Sequence, residues 1–407
     1  MPKSLADCEE MRKARIDMKF VIAMDSFKGS LTSMEAGNTA KEAVLAQLPD
    51  ARVVVKPLAD GGEGTMEALM SGLDGEMISV RVQDPLGREK AAKYAIVTGD
   101  EPQNISKKTA VIEMAQAAGL TLLSKEERDA KKTSTFGVGQ MICDALDRGC
   151  RDFVIGIGGS ATNDGGIGML RALGVHFYDR TGECAKNLMN GVQRVDISGI
   201  RKELAESTFR VACDVDNPLC GPDGATYVYA EQKGLQPEEF EKTDAAMASY
   251  AEAVKKLTGQ DNSREPGAGA AGGTGFALLS FLDAKLIPGA ELVMQVTGLS
   301  ESLKEADVFL TGEGRIDSQT AMGKAPWLAG KLAKRVSSKC RVYALTGQTK
   351  ENLHQAAAQN TLSGFDGVYV ITPPGMPIEQ AMQKETAMEN MRRTVMEFKF
   401  NEKRRLI

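Results

Sequence analysis

Five short and nearly continuous apolar runs stand out against the polar background of this 407-residue chain. They cover residues 19–25, 52–58, 306–312, 341–347 and 367–373, and they are rich in β-branched side chains. Such runs are typical of strands that are buried on both faces of a parallel sheet. The pattern predicts one parallel sheet that is assembled from both ends of the chain.

Helical periodicity separates these runs. Thr32 and Glu35 have the spacing of a capping box before a helix that reaches about Leu48. Helical spacing of apolar residues returns over 324–336, and again after Ile378. The alternation of strands and helices predicts a doubly wound α/β domain, which an insertion from about residue 80 to about residue 290 divides.

The insertion carries apolar runs of more varied length and spacing. Alternation in SVRVQ indicates that part of its sheet has a solvated face. A helix is expected from Thr135 to about Arg148. These features predict a second α/β domain with a mixed sheet, whose strands are expected at 76–84, 91–99, 109–114, 152–159, 175–179, 209–216 and 226–230.

Charge, hydropathy and cysteine content limit the binding partners and the cellular location that the sequence allows. Lys plus Arg is 50 and Asp plus Glu is 55, and a net charge of −5 without a dense basic patch argues against nucleic acid. No apolar stretch has the length that spans a bilayer, and the polar residues 1–17 do not form a signal peptide. Seven cysteines without a C-x-x-C pair are typical of reduced cytosolic thiols. We expect a cytoplasmic protein with no membrane association.

Loops dense in glycine and charged residues follow three of the runs, over 25–30, 59–65 and 311–317. In open α/β sheets, ligands bind beyond the carboxyl ends of the strands, near the topological switch point. With strand order 2-1-3-4-5, the first and third loops flank that point. Carboxylates, a lysine, an arginine and glycine amides at one edge are what phosphoryl transfer requires.

Other interpretations stay open at this level. Any single loop of this kind is more simply a tight turn with an Asp cap, and only the convergence of three favours catalysis. A dehydrogenase is disfavoured, because DSFKGS lacks the G-x-G-x-x-G fingerprint. A non-catalytic binding module would not require so many ionisable groups.

The insertion adds two glycine-rich loops, over 160–166 and 267–275. A helix follows each of them, and free amides at a helix N-terminus attract phosphate. No Walker A spacing occurs in the sequence, and close helix packing explains the 267–275 run equally well. The group Asp214, Asp216 and Asn217 is a weaker Mg²⁺ candidate, which an Asx turn would also explain.

Five motifs together resemble the type-1 glycerate kinase family: MDSFKGSLTS, LADGGEGT, GIGGSATNDGG, GAGAAGG and TGEGRIDSQT. The resemblance runs from about Met18 to about Phe398, with the motifs in family order. It implies a flavodoxin-like domain over 18–80 and 290–407, and an inserted restriction-endonuclease-like α/β domain over 81–289. Residues 1–17 form an N-terminal extension outside the family pattern.

The resemblance also implies an activity. The expected reaction is ATP-dependent, Mg²⁺-assisted phosphorylation of D-glycerate at the 2-hydroxyl, which yields 2-phospho-D-glycerate and ADP. A glycerate 3-kinase, or a kinase for a related small hydroxy acid, remains the alternative. A homodimer is the assembly we expect.

The catalytic roles follow from residue chemistry. Lys28 is predicted to neutralise phosphate charge, and Asp317 is the first choice for the base at the glycerate hydroxyl, with Asp25 and Asp164 as the other candidates. Arg315 is expected to pair with the substrate carboxylate in a bidentate manner.

The remaining roles concern binding. Ser26 and Asn163 are predicted to contact the substrate, and Asp60 and Glu63 to hold Mg²⁺. Phosphate-binding amides are expected at Gly61, Gly62, Gly64, Gly272, Gly273 and Gly275.

Overall fold

The computed structural model of the protein describes residues 18–60, 65–72, 75–98, 108–316, 324–349, 364–398 and 400. The strands of this part of the chain are Lys19–Met24 (β1), Arg52–Pro57 (β2), Gly75–Gln83 (β3), Glu89–Thr98 (β4), Lys108–Glu113 (β5), Asp152–Gly156 (β6), His176–Tyr178 (β7), Arg194–Asp196 (β8), Thr208–Ala212 (β9), Lys285–Ile287 (β10), Val308–Ile316 (β11), Arg341–Thr349 (β12) and Gly367–Val370 (β13).

The α-helices of the same residues are Ser33–Gln47 (α1), Thr65–Gly72 (α2), Ala115–Ala118 (α3), Phe136–Asp147 (α4), Ile167–Ala172 (α5), Ala225–Tyr229 (α6), Phe240–Thr258 (α7), Ala270–Leu282 (α8), Gly289–Val296 (α9), Leu299–Leu303 (α10), Ala325–Val336 (α11), Ile378–Ala381 (α12) and Lys384–Met396 (α13). Short 3₁₀ turns occur at Leu120–Leu122, Leu188–Asn190, Lys202–Glu206, Glu231–Lys233 and Pro237–Glu239.

The chain divides into two compact units, one formed by residues 1–60 with 293–407 and the other by residues 61–292. These limits differ from the domain limits expected at 80/81 and 289/290. The first difference arises because α2 packs on β3, β4 and β5 and therefore lies with the second unit.

The first unit contains a five-stranded sheet of order β13-β12-β11-β1-β2, with every pairing parallel. This confirms the predicted parallel sheet from both chain ends. β1 lies between β2 and β11, and its residues from Phe20 to Met24 are buried. Helices α1 and α11 both contact β1, and consecutive residues of the strand are buried, so the apolar content of β1 is that of a strand covered on both faces.

The predicted capping box fixes the start of α1. The Thr32 hydroxyl accepts a hydrogen bond from the Glu35 amide at 3.3 Å, and the Glu35 carboxylate accepts one from the Thr32 amide at 2.9 Å. The buried Ser33 hydroxyl donates to the Met24 carbonyl at 2.7 Å and accepts from the Leu58 amide at 3.0 Å. These bonds fix the helix start against the carboxyl ends of β1 and β2.

The second unit contains a six-stranded sheet of order β10-β9-β6-β5-β4-β3. The pairs β3–β4 and β4–β5 are antiparallel, whereas β5–β6, β6–β9 and β9–β10 are parallel. The predicted mixed sheet is therefore confirmed. Strands β7 and β8 form a separate antiparallel pair, and edge-to-face contacts between Phe177, Tyr250 and Phe276 fill part of the core.

Two sequence-based elements are corrected. Residues 226–230 were expected as a strand, but helix α6 covers most of them. Its first two residues are buried, while Tyr227 and Val228 point outward, which is a helical pattern of burial. The third run of the first unit was expected to end at residue 312, but β11 continues to Ile316. Glu313 and Arg315 are therefore held on a strand and not on a loop.

The structure also bears on membrane association and on the state of the cysteines. Within the described residues, no helix combines the length and apolarity that a membrane crossing requires. The six cysteines in this part of the chain are free thiols: Cys143, Cys150, Cys184, Cys213, Cys220 and Cys340.

Candidate active site

A pocket of about 350 Å³ lies at the carboxyl ends of the strands of the first unit. Each strand contributes to it, from Asp60 after β2 to Ile371 after β13. The other polar contributions come from Asp25, Ser26, Lys28, Ser30, Glu313, Arg315, Lys324, Gln348 and Thr372. The pocket therefore gathers side chains from the switch point of the sheet, where ligands of doubly wound folds bind.

Asp25 follows the central strand β1. Its amide donates to the Gly312 carbonyl at 2.8 Å, and its carboxylate accepts from the Ser26 amide at 2.6 Å. Burial, with smaller contributions from the charges of Asp60 and Glu313, raises the pKa of Asp25 to about 7, although the Ser26 amide and Lys28 act in the opposite direction. A carboxyl group with this pKa can accept and release a proton near neutral pH.

Positive charge lies beside these carboxylates. Lys28 and Arg315 are exposed and line the pocket. The Lys324 ammonium lies 3.6 Å from a carboxylate oxygen of Glu313, which is itself buried. Cations that line a pocket together with carboxylates suit a ligand that carries phosphate groups and exchanges a proton.

One wall of the same pocket is apolar. It consists of Phe27, Ile371, Ile378, Ala381 and Met382. Phe27 and Ile371 belong to the core, whereas Ile378 is 38% exposed and Met382 is 41% exposed. The pocket thus combines a charged edge with an apolar surface that protein atoms leave partly uncovered.

The second unit buries Asp164. Its carboxylate accepts hydrogen bonds from the amide and hydroxyl of Thr135, at 2.9 Å each, and from the amides of Gly166 and Gly168, at 3.1 Å each. Burial raises the pKa of Asp164, and these hydrogen bonds oppose the shift. Asn163 is also buried and donates to a threonine hydroxyl of α6 at 3.1 Å. These bonds hold the 160–166 loop and the starts of α4 and α5.

The glycines at the start of α8 pack against that loop. A Cβ on Gly272 would lie 2.0 Å from the Thr162 carbonyl oxygen, and one on Gly275 would lie 2.1 Å from the carbonyl oxygen of Gly267. Gly273 has φ +85°, and Gly272 has φ +67°. Backbone contact thus explains the glycines, and their phosphate-binding role stays a prediction.

A pocket of about 300 Å³ lies within the second unit and includes Lys233. Lys233 is only 3% exposed, and its ammonium donates to the Ser160 hydroxyl and the Thr162 carbonyl, at 2.8 Å each. Burial lowers the pKa of Lys233 to about 7, against an opposing effect of Asp164. The charge of Lys233 therefore changes near neutral pH.

Similarity to known proteins agrees with this arrangement. The sequence model of the glycerate kinase family matches residues 20–399. The chain belongs to the glycerate kinase family. It is 41% identical to a glycerate kinase of Halalkalibacterium halodurans over 92% of this chain and 96% of that protein. It is 42% identical to the glycerate 2-kinase of Escherichia coli, over 78% of this chain and 82% of that protein.

The fold is likewise that of a glycerate kinase structure. A crystal structure of a Salmonella typhimurium protein assigned as glycerate kinase 2 superposes with a TM-score of 0.81 and is 39% identical. The match covers 93% of this chain and 96% of the other. The resemblance read from the five motifs is therefore confirmed.

The predicted residues of this glycerate kinase fall into three groups. One group lines the pocket of the first unit: Asp25, Ser26, Lys28, Asp60 and Arg315. A second group lies in the second unit: Asn163, Asp164, Gly272, Gly273 and Gly275. A third group lies outside the described residues: Gly61, Gly62, Glu63, Gly64 and Asp317.

The sequence did not single out Glu313, Lys324 or Lys233. Glu313 stands in a quoted motif, and its position at the end of a buried run was the available signal. Lys233 lies in the polar segment AEQKG, where nothing marks a buried lysine. Only the packing around the 160–166 loop makes it one.

Proposed function

We propose that the pocket of the first unit is where this enzyme, a glycerate kinase, transfers the γ-phosphoryl group of ATP to the 2-hydroxyl of D-glycerate. One observation carries the proposal: Asp25, with a pKa of about 7, lines the same pocket as Lys28 and Arg315. A proton acceptor and two cations are the protein groups that direct transfer requires.

Each residue has one role in this scheme. Asp25 accepts the proton of the glycerate hydroxyl as its oxygen bonds to phosphorus and the bond to the β-phosphate oxygen breaks, releasing ADP. Lys28 neutralises charge that develops on the phosphate oxygens. Arg315, a planar fork, pairs with the glycerate carboxylate. Asp317, the first choice from the sequence, remains the alternative base, and Asp317→Asn should nearly abolish transfer if that residue holds the role.

The choice of the 2-hydroxyl follows from the same scheme. The carbon that bears this hydroxyl is attached to the carboxylate, so a rigid carboxylate anchor brings that oxygen, and not the primary one, into line with the phosphorus. The name of the Escherichia coli relative supports the same position. A glycerate 3-kinase or a kinase for a related hydroxy acid is the alternative.

The chemistry of this pocket suits Mg²⁺, because several carboxylates meet there. The charges of Asp60 and Glu313 both raise the pKa of Asp25, so all three acidic groups lie near one another. No group of three or more acidic, histidine or cysteine side chains capable of holding a metal occurs among the described residues. Mg²⁺ commonly takes one or two carboxylates with substrate phosphates and waters. We propose Asp60 and Glu63 as its ligands, and the ion would supply neutralisation of phosphate charge.

The remaining assignments are proposals of the same kind. The strand order 2-1-3-4-5 of the first unit is that of flavodoxin-like domains, and we propose that name for the domain that both chain ends form. We also propose that the inserted domain is restriction-endonuclease-like and that Ser26 and Asn163 contact the substrate. We further propose a cytoplasmic homodimer that does not bind nucleic acid or membrane.

The direct test measures ADP released from ATP and Mg²⁺ with and without D-glycerate. We expect release to depend on D-glycerate and to fall steeply in Asp25→Asn. The matched control is Glu379→Gln, which neutralises an exposed carboxylate on α12 that does not line the pocket. ADP release that ignores D-glycerate would contradict the proposal.

A further inference from the structure

Glycerate has no apolar surface that would match the apolar wall of the first-unit pocket. Glycerate is a three-carbon acid whose heavy atoms are polar or carry polar groups, and it would fill only part of about 350 Å³. Ligand pockets usually match their apolar surface to apolar parts of the ligand. In the proposed reaction, the base of the nucleotide is the one group with a large, flat apolar face.

We propose that this apolar wall binds the purine base of ATP, mainly through Ile371, Ile378 and Met382. This inference rests on the proposed function, because it takes ATP as the phosphoryl donor. The triphosphate would then extend from the wall toward Lys28, with the glycerate at Arg315 beyond it.

The dimensions of the sheet agree with this orientation. Asp25 follows β1 and Ile371 follows β13, and two strands, β11 and β12, lie between them. Three strand spacings amount to about 14 Å, which is comparable to the reach of an extended nucleoside triphosphate. Gln348, at the end of β12, lines the intervening part of the pocket and offers an amide that can both donate and accept.

Prolines restrain the segment that leads into the α12 part of the wall. Pro373, Pro374 and Pro377 precede α12 in the sequence and fix φ at each of their positions. Pro377 is the N-cap of α12, with φ −58°. Ile378 and Met382 are therefore presented by a restrained segment, and a surface that is already ordered loses little entropy when it binds a ligand.

Exposure distinguishes these side chains from core residues. Ile378 is 38% exposed and Met382 is 41% exposed although both line the pocket. The Met382 methyl reaches the neighbourhood of Gly29, since a Cβ built on Gly29 would lie 2.9 Å from it. The wall therefore extends to the loop that carries Lys28, which joins the apolar surface to the charged edge.

Truncation of the wall tests the proposal. Ile378→Ala and Met382→Ala should each raise KM for ATP about tenfold, because part of the apolar contact is removed. KM for glycerate and kcat should stay within about twofold, as expected for uniform binding of the donor. Met382→Leu, which retains an apolar side chain of similar volume, should restore KM for ATP. Met396→Ala is the control, because Met396 is 48% exposed on α13 and does not line the pocket.

Calorimetric titrations separate the base from the phosphates. Adenosine should bind the wild type and bind Ile378→Ala at least about tenfold more weakly, whereas inorganic tripolyphosphate should bind both proteins equally. A rise in KM for glycerate alone, or equal adenosine affinity in both proteins, would overturn the proposal. So would a change in oligomeric state with unchanged KM for ATP, which would make the wall a subunit interface.

The two proposals fail differently. If the wild type phosphorylates glycerate but truncation leaves adenosine binding unchanged, the base site is wrong and the proposed function stands. If adenosine binding is lost on truncation but the wild type does not phosphorylate glycerate, the base site stands and the acceptor is wrong.

Discussion

Replacing Asp25 by Asn should make the protein more stable at pH 8 while it removes catalysis. The pKa of Asp25 is raised from 3.8 to about 7, mainly by burial. Such a group binds more protons in the folded than in the unfolded state between about pH 4 and pH 7. The folded protein is therefore not penalised below about pH 4, and its stability falls as the pH rises toward and through 7.

The magnitude follows from the size of the shift. A change from 3.8 to about 7 corresponds to about 4 kcal/mol at about 1.4 kcal/mol per unit. Asp25 retains some solvent contact, which reduces the effect. We therefore expect its ionisation to lower the free energy of unfolding by about 2 to 4 kcal/mol at pH 8, and by less than half of that at pH 5. Asn cannot ionise, so the variant avoids this cost. Such a loss of stability is typical of active sites, where a carboxyl group must titrate near neutral pH.

The assay is thermal unfolding of wild type and Asp25→Asn in Mg²⁺-free buffer at pH 5 and pH 8. The variant should melt higher at pH 8 by roughly 4 to 16 °C, since 1 kcal/mol moves Tm by about 2 to 4 °C in units of this size. The difference should shrink by more than half at pH 5. At the same time kcat should fall by about two to four powers of ten.

Glu379→Gln controls for the loss of one negative charge, because Glu379 is exposed on α12. It should change neither Tm nor kcat appreciably. Equal Tm differences at the two pH values would refute the burial argument, and normal kcat in Asp25→Asn would refute the role of Asp25 as base.

Three further predictions follow. Lys28→Ala should lower kcat by about two or three powers of ten in a folded protein, and unchanged turnover would remove Lys28 from the mechanism. Asp60→Asn should move the Asp25 titration, followed by carboxyl NMR without Mg²⁺, to lower pH, because Asp60 raises the pKa of Asp25; an upward or absent shift would contradict this. Gly272→Ala should destabilise the protein to urea by at least about 2 kcal/mol more than Gly182→Ala, which shares a positive φ but meets no atom within 4 Å; equal losses would mean that backbone contact is unimportant.

The sequence predicted the elements whose pattern is long and regular. β1 is apolar at nearly every position because its residues are buried on both faces and helices α1 and α11 contact it. The capping box at Thr32 acts over three residues. The pocket also followed from the sequence, because parallel strands bring their carboxyl ends to one edge. Asp25, Lys28 and Arg315 thus meet for a topological reason.

Short elements, and contacts between residues far apart in the sequence, could not be predicted from the sequence. Segment 226–230 is rich in aromatic and β-branched residues, which favour a strand, but five residues cannot outweigh the packing that buries Ala225 and Thr226 as a helical turn. The hydrogen bonds of Asp164 and the burial of Lys233 join residues far apart in sequence. No local pattern carries that information.

The measurement that tests the account most directly couples the reaction to enolase, with and without phosphoglycerate mutase. 2-Phosphoglycerate is dehydrated by enolase at once, whereas 3-phosphoglycerate gives no signal until mutase is added. The anchor proposed at Arg315 and the base proposed at Asp25 select the 2-hydroxyl. We therefore predict a full signal without mutase in the wild type and a loss of that signal in Asp25→Asn. A signal that depends strictly on mutase would contradict the account, because it would mean that the primary hydroxyl receives the phosphoryl group.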